Sequence, residues 1–259
     1  MRMMKKVLGT VTVLALSVSL LAGCGSTAVS PVSSTASTVA ESTTSSVVSE
    51  TTSAAADENA AAAAQLLNDL TGSYQELWPV ILADEYQQTW LDNCTALVGE
   101  ENAEAAFEKL SSMVTGDVYG EDAVKAYANG GGAYFCGFTN SLAILTFDGE
   151  TSTISGTDKD GNVLFSHTYH YIGMEPVRGL YEFQSDDADS GEFTYFFLAP
   201  DTSAETYHIE FRYGSDAEAL SQYDTGEYAY WLASGISTDC DQTMIDNCIE
   251  LFCTENLAG

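Results

Sequence analysis

Three side chains with metal-ligand chemistry fall close together in the chain: Asp201, His208 and Glu210, within the stretch YFFLAPDTSAETYHIEFRYG at 195–214. One imidazole and two carboxylates form a donor set for a divalent cation. Successive side chains of a β-strand point to opposite faces. In an extended HIEFRY run, His208, Glu210 and Arg212 therefore share one face, and Ile209, Phe211 and Tyr213 share the other. Asp201, seven residues before His208, falls on the loop entering this strand or at the end of the strand before it. From there it can join the polar face.

The segments that must hold this face read as short strands. Residues 134–138, 142–147, 151–155, 163–172, 179–184, 193–198 and 207–213 are aromatic and β-branched, and Asp/Gly turn signals separate several of them. Asp148-Gly149, DKDGN (158–162) and DADSGE (187–192) are such signals, and hairpins in succession make an antiparallel meander that must close or be covered. DKDGN and DADSGE each look like part of a calcium loop. Neither has the full ligand spacing with its closing glutamate, and turn chemistry accounts for both. Helical patterns flank the strands at 58–70, 84–97, 103–114, around Val124 and Tyr127, at 216–223 and at 237–252. For the last of these, Ser237 or Asp239 is the expected N-cap. Its Met244, Ile245, Cys248, Ile249 and Phe252 share one face, which predicts packing against the barrel. His167 and His170 are three apart on one strand and so face opposite sides, which reads as structural rather than as paired ligands.

The N-terminus has a charged start, an apolar run over 7–21 and the ending Leu21-Ala22-Gly23-Cys24. It resembles the signal segment and lipobox of bacterial lipoproteins. That resemblance implies removal of residues 1–23 and lipidation of Cys24, which would anchor the chain on the outer side of a bacterial membrane. Residues 24–57, rich in Ser, Thr and Ala, read as a flexible tether, and 58–259 as one folded domain. All 38 acidic residues lie after Cys24, and the net charge of the whole chain is −30. Such a surface repels phosphate and excludes nucleic acid and anionic lipid headgroups as partners. Five further cysteines, Cys94, Cys136, Cys240, Cys248 and Cys253, permit one or two disulfides, whose pairing the sequence leaves open.

Four segments in order resemble the extracytoplasmic ZinT/YodA metal-binding proteins. They are DLTGSYQELWPVI (69–81), SHTYHYIGMEPVRGLYEF (166–183), HIEFRYG (208–214) and EYAYWLASGIS (227–237). The resemblance implies a mainly β fold, an antiparallel calycin-like, lipocalin-related barrel with N-terminal and C-terminal helices packed on it. The entry Gly72-Ser73-Tyr74 would stand for the calycin Gly-x-Trp. It also implies zinc held by three histidines, one just after a strand and two in a His-x-His. Carried over by position, these fall on Asp201, His208 and Glu210, so two of the three are carboxylates here. Such a site accepts Zn²⁺ and is more tolerant of Mn²⁺ or Ca²⁺ than three histidines are. The implied function is a membrane-tethered binding protein for a divalent ion, zinc foremost, that supplies a metal ABC importer.

Two alternatives stand beside this reading. In one, the three residues line a polar barrel interior and Arg212 neutralises a carboxylate there. In the other, the metal site is lost and the calycin module binds a small apolar ligand or a partner protein. The chain has no Gly-x-Ser-x-Gly elbow, phosphate loop or His-Glu-x-x-His, so it reads as a binding protein and not an enzyme.

Overall fold

The computed structural model describes residues 47–258. The signal segment, Cys24 and the first part of the tether lie outside the described residues. The first helix, α1 (Val47–Asp69), takes in residues 58–69 of the helix expected at 58–70 and begins earlier, within the stretch 24–57 that the sequence assigns to the tether. Its Ala63, Leu66 and Leu67, with Leu70 just beyond, are at most 3 % exposed and belong to the core of the barrel that follows. The helix passes so close to the turn at Gly149 that a Cβ there would come within 2.4 Å of the Asn68 backbone. Only glycine fits without displacing one of the two.

Eight strands form a closed antiparallel barrel in which each pairs with the next in sequence. They are β1 (Gly72–Glu76), β2 (Ile144–Asp148), β3 (Thr153–Thr157), β4 (Val163–Met174), β5 (Tyr181–Ser185), β6 (Tyr195–Leu198), β7 (Ile209–Gly214) and β8 (Ala233–Ser237). Closure comes from β1 pairing back on β8, with Tyr74 opposite Ser237, so no strand edge is left bare. This closed up-and-down barrel is the antiparallel meander that the hairpin signals predict. Two of its turns are held by aspartates of the hairpin signals, one of them in the calcium-loop-like DKDGN. Asp158 Oδ1 accepts from the backbone N–H groups of Asp160 and Asn162, both at 2.9 Å, and Asp148 Oδ1 accepts from Glu150 at 3.1 Å.

Aromatic rings fill the barrel. Phe165 stacks on Phe193 at 4.0 Å, Phe196 lies 5.3 Å from Tyr213, and Trp231 meets Tyr213 edge-on at 5.1 Å. A cleft of about 320 Å³ lies outside the barrel, beside Trp78, Pro79 and Cys136.

Between β1 and β2 the chain makes a helical excursion: α2 (Leu77–Ile81), α3 (Gln87–Val98), α4 (Ala103–Val114) and α5 (Glu121–Ala128). Two short helices, α6 (Ser203–Thr206) and α7 (Ala217–Leu220), sit in the loops on either side of β7, and α8 (Gln242–Leu257) ends the domain. A second apolar core joins Leu77, Trp78, Trp90, Leu110, Ile245 and Ile249 to Ile236 on the outside of β8. No helix among the described residues is long and apolar enough to cross a membrane.

Two local expectations are corrected, and two strands lie outside the expected strand segments. Residues 134–138 alternate like a strand but make only isolated bridges, Phe135 with Thr115 and with Trp231, and join no strand of the barrel, although Phe138 enters its core. The strands that close the barrel, β1 and β8, carry no clear period of two. The N-cap of α8 is Asp241, whose carboxylate accepts from the Met244 N–H at 2.9 Å, rather than Ser237 or Asp239.

Candidate functional site

β7 carries the residues with chemistry. Its Ile209, Phe211 and Tyr213 belong to the barrel core. By strand alternation, His208, Glu210 and Arg212 therefore stand on the outer wall. The polar face is outside the barrel, so the interior reading of these residues is corrected. Over its first half lies α8, which brings the Cys248 sulfur to 3.9 Å from His208 Nδ1.

The approach to β7 sets the His208 ring. Helix α6 is opened by a capping box between Thr202 and Glu205 and closed by Tyr207, which adopts the left-handed conformation at φ 66°. For a bulky residue that conformation costs on the order of 1–3 kcal/mol. The Tyr207 ring packs against the helical core, which helps to hold the turn. His208 Nδ1 then lies 2.7 Å from the Thr206 carbonyl. A carbonyl only accepts, so Nδ1 carries a proton, and the neutral ring has its lone pair on Nε2. Nε2 is 4.0 Å from Glu210 Oε1. Two ligands on one tetrahedral ion at about 2.1 Å stand about 3.4 Å apart, so this pair is close to the spacing an ion requires.

The electrostatics describe a site short of positive charge. Burial opposes a charge on the His208 ring, but the Cys248 sulfur, the Glu210 carboxylate and the Thr206 carbonyl outweigh it and push the imidazole up to about 9. At neutral pH a proton on Nε2 thus stands where a metal ion would bind. Asp201, half-buried on the loop after β6, has its carboxyl raised by burial and by Glu205, while His208 draws it down. Glu255, on α8, is raised by desolvation and by Glu210 and Asp201, and is drawn down by His208. Asp201, Glu210 and Glu255 thus act on one another and on one imidazole. As the side chains stand, no three His, Cys, Asp or Glu residues among the described residues close on a common ion. The Cys136 thiol, beside Ser234, is pushed up to about 12 by burial first and by Glu210 second, so it stays protonated and is no thiolate ligand.

Sequence reasoning did not single out Glu255, and it placed Cys248 only on an apolar helix face. Their spacing of seven residues puts both on one side of α8, but only the packing of that helix over β7 brings them to His208. The other histidines are elsewhere. His167 Nδ1 pairs with Asp187 at 2.7 Å and His170 Nδ1 with Asp186 at 2.6 Å, both on β4, three strands away.

Arg212 does not neutralise a carboxylate. It is fully buried, and its guanidinium donates to the carbonyls of Leu220, Gln222 and Tyr228. It also lies 4.4 Å from the centre of the Tyr223 ring.

The fold and site place the chain in the class of closed eight-stranded antiparallel barrels carrying a polar cluster on the outer wall. Among solved structures it is similar to the Zn(II)-bound ZinT-like domain of Streptococcus pneumoniae AdcA. The TM-score is 0.45 at 15 % identity, over 71 % of this chain and 89 % of that one. It is also similar to Zn(II)-bound AdcA from Streptococcus pneumoniae, with a TM-score of 0.43 at 14 % identity, over 71 % of this chain and 35 % of that one. No family model matches the sequence, and no curated protein matches it.

Proposed function

We propose that the chain binds a divalent metal ion, zinc foremost, on the outer wall of its barrel at Asp201, His208 and Glu210, with Glu255 of α8 as a further carboxylate. The observation that carries this reading is the His208 ring. Its Nδ1 is tied to a backbone carbonyl, the second-shell arrangement that presents Nε2 to a metal, and Nε2 faces Glu210 at near-ligand spacing. Burial first, and neighbouring carboxylates after it, raise Asp201 and Glu255, so a cation beside them lowers the energy. Rotation of the Asp201 and Glu255 side chains is needed to complete the coordination. An oxygen-rich site that closes only on binding suits reversible capture and admits Mn²⁺ and Ca²⁺ beside Zn²⁺.

The leader and Cys24 support placing this capture outside the cell on a lipid anchor, from which the ion would pass to a metal ABC importer. Replacing Cys24 by alanine should then move the protein from the membrane fraction into the medium, as read by immunoblotting.

Calorimetric titration of the metal-free protein with Zn²⁺, Mn²⁺ and Ca²⁺ tests the binding itself. The expected result is one zinc site of micromolar affinity that His208→Ala weakens by at least about 100-fold. Affinity no tighter than millimolar, about 4 kcal/mol, or binding unchanged in His208→Ala, would remove the proposal.

A further inference from the structure

The second core holds a pair of thiols that the outer-wall site does not use. Cys94 lies on α3 and Cys253 on α8, both are 0 % exposed, and both belong to the cluster that joins these helices. Their contact follows from the register of the two helices. Thr89, near the start of α3, reaches Asp246 near the start of α8 at 3.4 Å. Further along, Trp90 meets Phe252 edge-on at 5.9 Å, which sets Cys94, one turn beyond Trp90, and Cys253, next to Phe252, on the facing sides of the two helices. The helices run side by side in the same direction, and the two cysteines face each other across the seam.

The other described cysteines are differently engaged. Cys248 turns to the His208 imidazole, Cys136 sits beside Ser234, and Cys240 precedes α8 and is only half-buried.

We propose that Cys94 and Cys253 form a disulfide that staples α8 to α3. All five described cysteines are thiols in this structure, so the bond requires an oxidant. A disulfide of a small thiol or of an oxidoreductase is of the right class. One cysteine thiolate attacks it, one thiol leaves, and the second cysteine displaces the other. Two protein thiols are oxidised to one disulfide, and the oxidant disulfide is reduced to two thiols. Burial raises both thiols, so exchange in the folded protein is slow. The bond therefore forms during folding, before α8 closes over α3, and then resists reduction. It closes a loop of roughly 160 residues, the long-loop case in which a cross-link restricts the unfolded chain most. It also fixes the helix that carries Cys248 and Glu255 to the outer wall of β7.

The test uses the wild-type full chain. The reduced, unfolded protein is refolded with oxidised and reduced glutathione, free thiols are blocked with iodoacetamide, and the product is cut after glutamate under non-reducing conditions. That cleavage isolates Cys94 in 86–100 and Cys253 in 251–255, and separates Cys253 from Cys248 at Glu250. The expected product is the 86–100 peptide linked to 251–255, with Cys136, Cys240 and Cys248 alkylated. Recovery of Cys94 and Cys253 as alkylated thiols, or linked to other cysteines, would overturn the proposal. Reduction of the oxidised protein should lower its melting midpoint by roughly 10 °C. An unchanged midpoint would show that the bond is no staple.

Discussion

The two ends of the outer face of β7 carry polar side chains of opposite fate. At one end Arg212 is fully buried, and its terminal nitrogens donate to three backbone carbonyls of the 220–228 segment folded over it. At the other end His208 has only Nδ1 committed to the backbone, and its Nε2 faces carboxylates drawn from three places: β7 itself, the loop after β6, and α8. Both ends are charged and both are covered by later chain. The covering groups differ: carbonyls take the terminal nitrogens of the guanidinium and leave its Nε unpartnered, whereas carboxylates gather around the imidazole. Residue type alone does not separate a structural charge from a ligand. What packs over it does.

The largest effect should come from the closed end. Arg212→Ala strands three buried carbonyls and opens a cavity, which should destabilise the fold by about 3–5 kcal/mol, as read by urea denaturation. Arg212→Lys should restore little of this, because an ammonium cannot reproduce the planar fork. A loss below about 1 kcal/mol would mean that the arginine end is no more structural than a surface charge.

At the open end the loss should be of binding rather than of stability. His208→Ala should weaken zinc affinity by at least about 100-fold, or about 2.7 kcal/mol. At pH 10, above the titration of the ring, its cost in stability should be about 1 kcal/mol, since there only one hydrogen bond to a backbone carbonyl is lost. If that variant unfolds as Arg212→Ala does, the two ends are alike and the contrast fails.

The pH dependence sharpens the same contrast. The ring must shed the Nε2 proton to coordinate, so zinc affinity should rise roughly tenfold per pH unit from neutrality up to about 9 and then level off. The metal-free fold should behave in the opposite sense. A folded-state value raised above the ordinary 6.5 contributes stability that is fully present below that pH and is lost as pH rises through about 9. Denaturation midpoints at pH 6, 8 and 10 would read this trend, and His208→Ala should flatten it.

The smallest effect belongs to the most distant carboxylate. Glu255→Gln should reduce zinc affinity by roughly 3-fold, well under 1 kcal/mol, by calorimetry. It should leave the metal-free protein as stable or slightly more so, because one of several repelling charges is gone.

Much of this contrast can be read in the sequence. The alternation of HIEFRYG places Ile209, Phe211 and Tyr213 on the opposite face from His208, Glu210 and Arg212, and six of the eight barrel strands overlap segments of strand-like composition. The closing strands are harder to see for physical reasons. In GSYQE of β1, Tyr74 is the one fully buried ring. ASGIS of β8 is buried on both faces because helices cover its outer side, so small residues replace alternation. There Gly235 lets Ile209 approach to 3.1 Å of where a Cβ would be. The 134–138 segment has strand composition without a place in the barrel ladder because it pairs only loosely along 230–234, with Phe138 turned into the core. Glu255 and Cys248 are tertiary contributions. No local pattern ties a helix near the chain end to a strand some forty residues earlier.

The cation site at His208 is tested most directly by anomalous diffraction at the zinc edge from crystals of the zinc-loaded protein. The account predicts a peak about 2 Å from His208 Nε2, on the outer wall of β7, with the Glu210 carboxylate as its neighbour. A peak at another place, or none near His208 at saturating zinc, would contradict it.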